Sequence, residues 1–244
     1  MKIMAIGGGE NGRPGEAYET KEIDEEVVKM TGKKSPTLLF IGFTRAEPEN
    51  AENYFNITSQ NFNRLGCVSK HLKESDLSNT DLVNRLFENS DIIYIGGGDT
   101  IRLMQILKKF KLKKHLKSAM KRGCVLCGIS AGAICLHKCG SSRIIGDKHL
   151  NLIKVKGLGF IPAMFCSHYD AQGTKYELIK NLMKTTRGVA LAFSNCCALK
   201  IEKDQYQIIK SNPEAKAQKF FWKNGKYFQS EIPSIGTIKQ LLKK

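Results

Sequence analysis

Ser130 stands between Gly128 and Gly132, in the run Gly-Ile-Ser-Ala-Gly, where the apolar residues 124–127 give way to Ile134 and Leu136 at helical spacing. The spacing G-x-S-x-G is that of a nucleophile elbow, a sharp strand-to-helix turn that needs small neighbours and lifts the hydroxyl clear of a sheet. A serine there sits at a helix N-terminus, where backbone N–H groups favour a developing oxyanion. The same pattern also suits a plain helix cap, since serine is a good N-cap. A base within reach separates the two readings, because a hydroxyl is a weak nucleophile until its proton is taken.

Five histidines are available. His115 falls in a lysine-rich run, His137 is placed two turns down the elbow helix pointing away from Ser130, and His71 and His149 have no strand-end context. His168 directly follows the apolar run 160–166, in Phe-Cys-Ser-His-Tyr-Asp, so it stands at the carboxyl end of a strand. Ser130 and His168 are thus the candidate nucleophile and general base. The order argues against an α/β-hydrolase, which places its histidine late in the chain. The last 76 residues contain none.

The elements that must hold this pair follow from the apolar pattern. Short apolar runs at 3–6, 38–43, 91–95, 124–127 and 160–166 read as strands. Helical patterns around 23–30, 53–65, 81–87, 103–110 and 176–183 separate most of them. Such alternation predicts an α/β domain spanning 1–244: a three-layer, mostly parallel sheet with helices on both faces. Toward the C-terminus, 198–201, 207–209, 219–222 and 227–228 are short and parted by turn formers such as Asn224-Gly225, which predicts a small antiparallel β extension.

Ligands of open parallel sheets bind beyond the carboxyl ends of strands. Three such ends are rich in glycine: Gly7-Gly8-Gly9, Gly96-Gly97-Gly98 and the elbow. The first also reads as G-x-G-x-x-G, but Pro14 and Gly15 interrupt where a phosphate-binding helix should run, and the second strand ends at Phe43-Thr44 with no acidic residue for a ribose. A tight turn is the preferred reading. Cys124, Cys127, Cys135 and Cys139 have a spacing that invites zinc, yet residues three apart on a strand point to opposite faces, so buried thiols and no metal are expected.

The formal charge of +16 arises from 31 lysines and only 8 arginines. Bidentate phosphate and base recognition favours arginine, so no nucleic-acid partner is expected. The densest run, residues 108–122, interleaves Leu112, Leu116 and Met120 and reads as a solvated helix face. No 18-residue apolar run is present, the start is broken early by glycine, and eight cysteines suit a reducing compartment, so a cytoplasmic protein without a membrane span is expected.

The glycine triplet in Ile-Gly-Gly-Gly-Asp-Thr (95–100), the elbow (128–133) and the histidine in Ser-His-Tyr-Asp (167–170) together resemble the peptidase E group. This is serine peptidase family S51, which includes aspartyl dipeptidases and, more distantly, cyanophycinases. The resemblance covers roughly residues 1–210. It implies a class I glutamine amidotransferase-like fold with serine in place of cysteine. It makes Ser130 the nucleophile and His168 its base, with the N–H groups of Gly98 and Ala131 as the oxyanion hole and Gly97, Asp99 and Thr100 beside the substrate. In the aspartyl dipeptidases a glutamate completes the triad from a segment resembling 188–199, which holds no carboxylate here. Ser194 and Asn195 stand near that position. Asn195 is taken as the third member, with Asp170 as the alternative and Asp147 as a weaker one. The arginines that would hold an acidic N-terminal residue have no match after His168. The expectation is a cofactor-free serine dipeptidase of short peptides, monomeric or homodimeric. Its alternatives are a cyanophycinase-like or other amidase, and a binding protein that has lost the triad acid.

Overall fold

The structure, a computed structural model, describes residues 1–143, 152–169 and 174–244. An eight-stranded sheet carries the centre of the molecule. Its parallel part runs β1 (Lys2–Ile6), β5 (Val125–Ile129), β4 (Ile92–Ile95), β2 (Thr37–Ile41) and β3 (Val68–Leu72). On the other side of β1 the sheet continues antiparallel through β10 (Cys197–Glu202), β11 (Gln205–Lys210) and β14 (Ile235–Thr237).

All four residues of β4 are buried. Ile93 and Ile95 join one core cluster, and Ile92 and Tyr94 the other. That is the two-faced burial expected of a central parallel strand. α1 (Lys21–Thr31) and α2 (Pro48–Arg64) cover one face through Ile23, Val27, Met30 and Phe62. α3 (Thr80–Glu88), α4 (Thr100–Lys109) and α5 (Lys113–Lys121) cover the other through Val83, Phe87, Leu103, Leu107 and Leu116. The α/β class with helices on both faces is borne out.

The strands do not all belong to one sheet. A second, six-stranded sheet orders β7 (Leu152–Lys156), β6 (His137–Arg143), β8 (Ile161–Cys166), β9 (Val189–Phe193), β12 (Ala217–Lys223) and β13 (Lys226–Glu231). Only its β6–β8 and β8–β9 pairs are parallel. The C-terminal antiparallel strands are therefore shared between both sheets rather than forming one small extension. The split begins at α6 (Ala131–Leu136), which is only six residues long before the chain turns into β6. His137 starts that strand and does not lie two turns along a helix. It is fully buried, 2.7 Å from the Ala133 carbonyl and packed on Phe165.

The basic run 108–122 is likewise two helices. Lys111 takes φ 52°, Leu112 N–H donates to the Leu107 carbonyl at 2.9 Å and Lys111 N–H to that of Lys108 at 3.1 Å. This is a Schellman stop with lysine where glycine is usual, and Leu107 and Leu112 supply its buried apolar contact. Cys124 and Cys127 fall in opposite core clusters, as strand alternation requires. All eight cysteines are buried. Among the described residues, no group of His, Cys, Asp or Glu is arranged to hold a metal, and no helix is long and apolar enough to cross a membrane.

Candidate active site

Ser130 follows β5 with φ 51° and ψ −109°, a backbone region costly for a residue with a side chain. Neighbouring chains enforce it. Ser130 N–H donates to the Ile6 carbonyl at 3.0 Å, and the Ser130 carbonyl accepts from Ile134 N–H at 2.9 Å. A Cβ on Gly128 would strike the main chain of Gly132, and one on Gly132 the carbonyl of Ile95. Ala131 and Ala133 are fully buried. The small residues of the elbow are thus required by packing on both sides of the serine. Because α6 is so short, the first N–H groups of the turn, rather than a long helix dipole, supply its positive potential.

His168 follows β8, also at positive φ (53°), with its N–H on the Gly7 carbonyl at 3.1 Å. Its Nε2 lies 2.8 Å from Ser130 Oγ and its Nδ1 2.7 Å from Asn195 Oδ1. An amide oxygen only accepts, so Nδ1 carries the proton and Nε2 faces the serine hydroxyl as an acceptor. Lys175 at the start of α7 (Thr174–Lys184) donates its Nζ to the main-chain carbonyls of His168 and Ser167.

Asn195 lies in the turn between β9 and β10. Ser194, 2 % exposed, donates through Oγ to the Asn195 carbonyl at 2.9 Å and accepts from Lys216 N–H at 2.8 Å. Cys196, at φ 59°, ties the turn to Gly8 through its N–H at 3.0 Å. Gly8 packs flat over the pair, since a Cβ there would overlap both the His168 ring and Asn195 Oδ1. The first glycine cluster therefore serves close approach to the site. Asp170, Asp147 and His149 lie outside the described residues. His71 does have a strand-end context, near the carboxyl end of β3, but three strands from β5, with its Nδ1 3.2 Å from Glu52 and its ring stacked on Phe55. Burial lowers its pKa.

A cleft of about 440 Å³ opens over Ser130 and His168, bounded by Gly97, Gly98, Gly8, Arg13 and Arg45. Asp99 and Thr100 do not wall it. Asp99 caps α4, accepting from Ile101 and Arg102 N–H at 2.8 and 3.1 Å, and Thr100 is 1 % exposed with its hydroxyl 2.9 Å from Ser142. Of that glycine-rich strand end, Gly97 and Gly98 meet the cleft while the following residues build the helix. Two arginines that precede His168 in the sequence, Arg13 and Arg45, line the cleft. Arg13 is held by Glu10 at 2.6 and 2.8 Å, and Arg45 lies over the Tyr54 ring at 5.4 Å from its centroid.

The model of peptidase family S51 matches residues 3–209. An uncharacterized peptidase of Bacillus subtilis (strain 168), YgaJ, is 31 % identical over 223 residues, covering 88 % of this chain and 90 % of its own. The crystal structure of a peptidase from an acI-B1 actinobacterium superposes with TM-score 0.72 at 19 % identity, covering 97 % of this chain and 96 % of that one. A putative peptidase E protein from Listeria monocytogenes EGD-e gives TM-score 0.63 at 18 % identity, covering 86 % and 98 %. At these identities the structural likeness is one of fold.

Proposed function

The chain belongs to peptidase family S51 and is a serine-type peptidase, and from that premise we propose that it hydrolyses short peptides, in the manner of a dipeptidase, through an acyl-enzyme on Ser130. The observation that carries this reading is the 2.8 Å approach of His168 Nε2 to a serine hydroxyl on a strained turn. In the first step Ser130 Oγ bonds to the scissile carbonyl carbon while its proton passes to Nε2. The carbonyl π electrons move to oxygen, and that oxyanion takes hydrogen bonds from Gly98 and Ala131 N–H. His168, oriented by Asn195, then gives the proton to the departing amine as the C–N bond breaks. A water molecule repeats the sequence on the ester, releasing the acid and restoring the serine.

Asn195 in place of a carboxylate favours a second reading, a peptide-binding protein with a disarmed site, because an amide stabilises imidazolium less than a full charge does. A fluorophosphonate probe separates the two. Rapid labelling at Ser130, with a dipeptide library then turned over by the native chain and not by Ser130→Ala, supports the peptidase. An unlabelled native protein that still binds dipeptides supports the second reading.

A further inference from the structure

Gly97 and Gly98 lie in a segment free to flip, with Gly98 at φ 139°, yet both polar groups of Gly97 are held by side chains from elsewhere. Gly97 N–H donates to Tyr54 Oη at 3.1 Å, from the middle of α2. The Gly97 carbonyl accepts from Thr44 Oγ1 at 2.6 Å, from the loop that follows β2. Thr44 also takes Asp99 N–H on its own carbonyl at 3.2 Å, so it grips the segment twice. The Gly97 carbonyl and the Gly98 N–H belong to one planar, trans peptide unit and point in opposite directions. Pinning that carbonyl against Thr44 therefore turns Gly98 N–H away from Thr44. Among the described residues Gly98 N–H donates to no carbonyl, and Gly98 lines the cleft beside Ser130.

We propose that Thr44 and Tyr54 are positioning residues that fix the direction of the Gly98 N–H, and hence the donor strength of the oxyanion hole. The inference rests on Ser130 being the nucleophile. The three glycines fit it one by one. A Cβ on Gly96 would meet the Tyr54 ring at 2.7 Å, one on Gly97 would meet Ser130 Cβ at 3.4 Å, and one on Gly98 would meet Thr44 Cβ at 2.9 Å. The triplet thus admits the clamp on two sides and the serine on the third. Thr44 is 3 % exposed, so water does not replace its hydroxyl at the carbonyl. Burial holds the Tyr54 phenol above its usual range, so its oxygen stays neutral and the grip does not depend on pH.

Thr44→Val removes the donor at nearly constant shape, and Tyr54→Phe removes the acceptor. Losing one whole oxyanion donor costs ~10²–10³-fold in kcat, so a donor left in the wrong direction part of the time is expected to cost about 10- to 100-fold. Thr44→Val should show that loss with KM within about twofold, and the rate of fluorophosphonate labelling should fall by the same factor. Thr44→Ser, which keeps the hydroxyl, should recover most of it, and Tyr54→Phe should lose about tenfold. Unchanged kcat in both Thr44→Val and Tyr54→Phe overturns the clamp, as does a loss confined to KM or one that Thr44→Ser fails to recover. If Thr44→Val does not fold, Tyr54→Phe alone decides by the same criteria. A native chain that is active but unlabelled, or an active Ser130→Ala, fails the serine reading itself, and the clamp falls with it. A clamp that fails alone leaves the native protein labelled and Ser130→Ala dead.

Discussion

Asn195 Oδ1 reaches His168 Nδ1 at 2.7 Å across 27 residues of sequence, and the two side chains meet over the bare face of Gly8. A neutral amide orients the imidazole here, where a carboxylate would also stabilise its charged form. Asn195→Ala is expected to lower kcat by ~10²-fold or more through loss of the correct tautomer. Asn195→Asp should raise kcat several-fold and move the acid limb of the kcat–pH profile upward, because an opposite charge favours imidazolium. Steady-state kinetics on one dipeptide across pH check both, and full activity in Asn195→Ala removes the residue from the machinery.

Gly8→Ala tests the same contact from the other side. The added methyl has no room unless His168 or Asn195 moves, and an ångström of misplacement costs about 10²-fold in rate. The expected result is a folded protein with kcat down by that order. Near-native kcat would show that the histidine can shift freely.

Asp24 gives a stability signature. It is 2 % exposed, accepts from Tyr18 and Thr20 hydroxyls through Oδ2, and has no partner for Oδ1 among the described residues. Burial pushes its pKa up from 3.8 to about 7. Between those values the folded state keeps a proton that the unfolded state releases. Its contribution is full below pH 3.8 and is lost as pH rises through about 7. Asp24→Asn does not titrate, so its stability relative to the native chain should climb between about pH 4 and 7, by on the order of 3–4 kcal/mol, and level off above. His137, pushed down to about 4 by burial, acts in the opposite sense on the absolute stability of each protein, since its contribution is lost as pH falls through that value, and it cancels in the difference between them. Urea unfolding of both proteins at several pH values is the measurement. A difference that does not vary with pH refutes a buried, titrating Asp24.

The thiols should be inert in the native state. Burial pushes Cys124, Cys166 and Cys197 up to about 12 and Cys67 up to about 11, and the thiolate is the reactive form. Iodoacetamide at neutral pH is expected to leave the folded protein unmodified and to label all eight cysteines in denaturant, read by intact mass. Rapid native labelling of any of these four would mean that the chain opens locally around it.

The elbow and the histidine at the end of β8 were legible in sequence because both depend on local spacing: glycines around one serine, an apolar run before one histidine. Asn195 was reached through its place in a family-like segment, since nothing about a lone asparagine marks it. β3, with sequence Val-Ser-Lys-His-Leu, was invisible because an edge strand carries charge and polarity that central strands lack. β6 was hidden behind a helix too short to show its period. Arg13, Arg45, Thr44 and Tyr54 sit near the site through tertiary packing alone, and spacing says nothing of partners 40 or more residues away.

Three of the turns that converge on the site place a residue with a side chain at positive φ: Ser130, His168 and Cys196. Such positions are held against a local preference worth on the order of 1–3 kcal/mol each. For anyone engineering heat tolerance into this protein, the consequence is a trap. Glycine at any of the three would relax the backbone, so a screen that scores only survival at high temperature would drift toward Ser130→Gly and His168→Gly and, under the proposed mechanism, enrich sturdy, inert molecules. Cys196→Gly is the one exchange that removes strain while leaving the reacting groups in place.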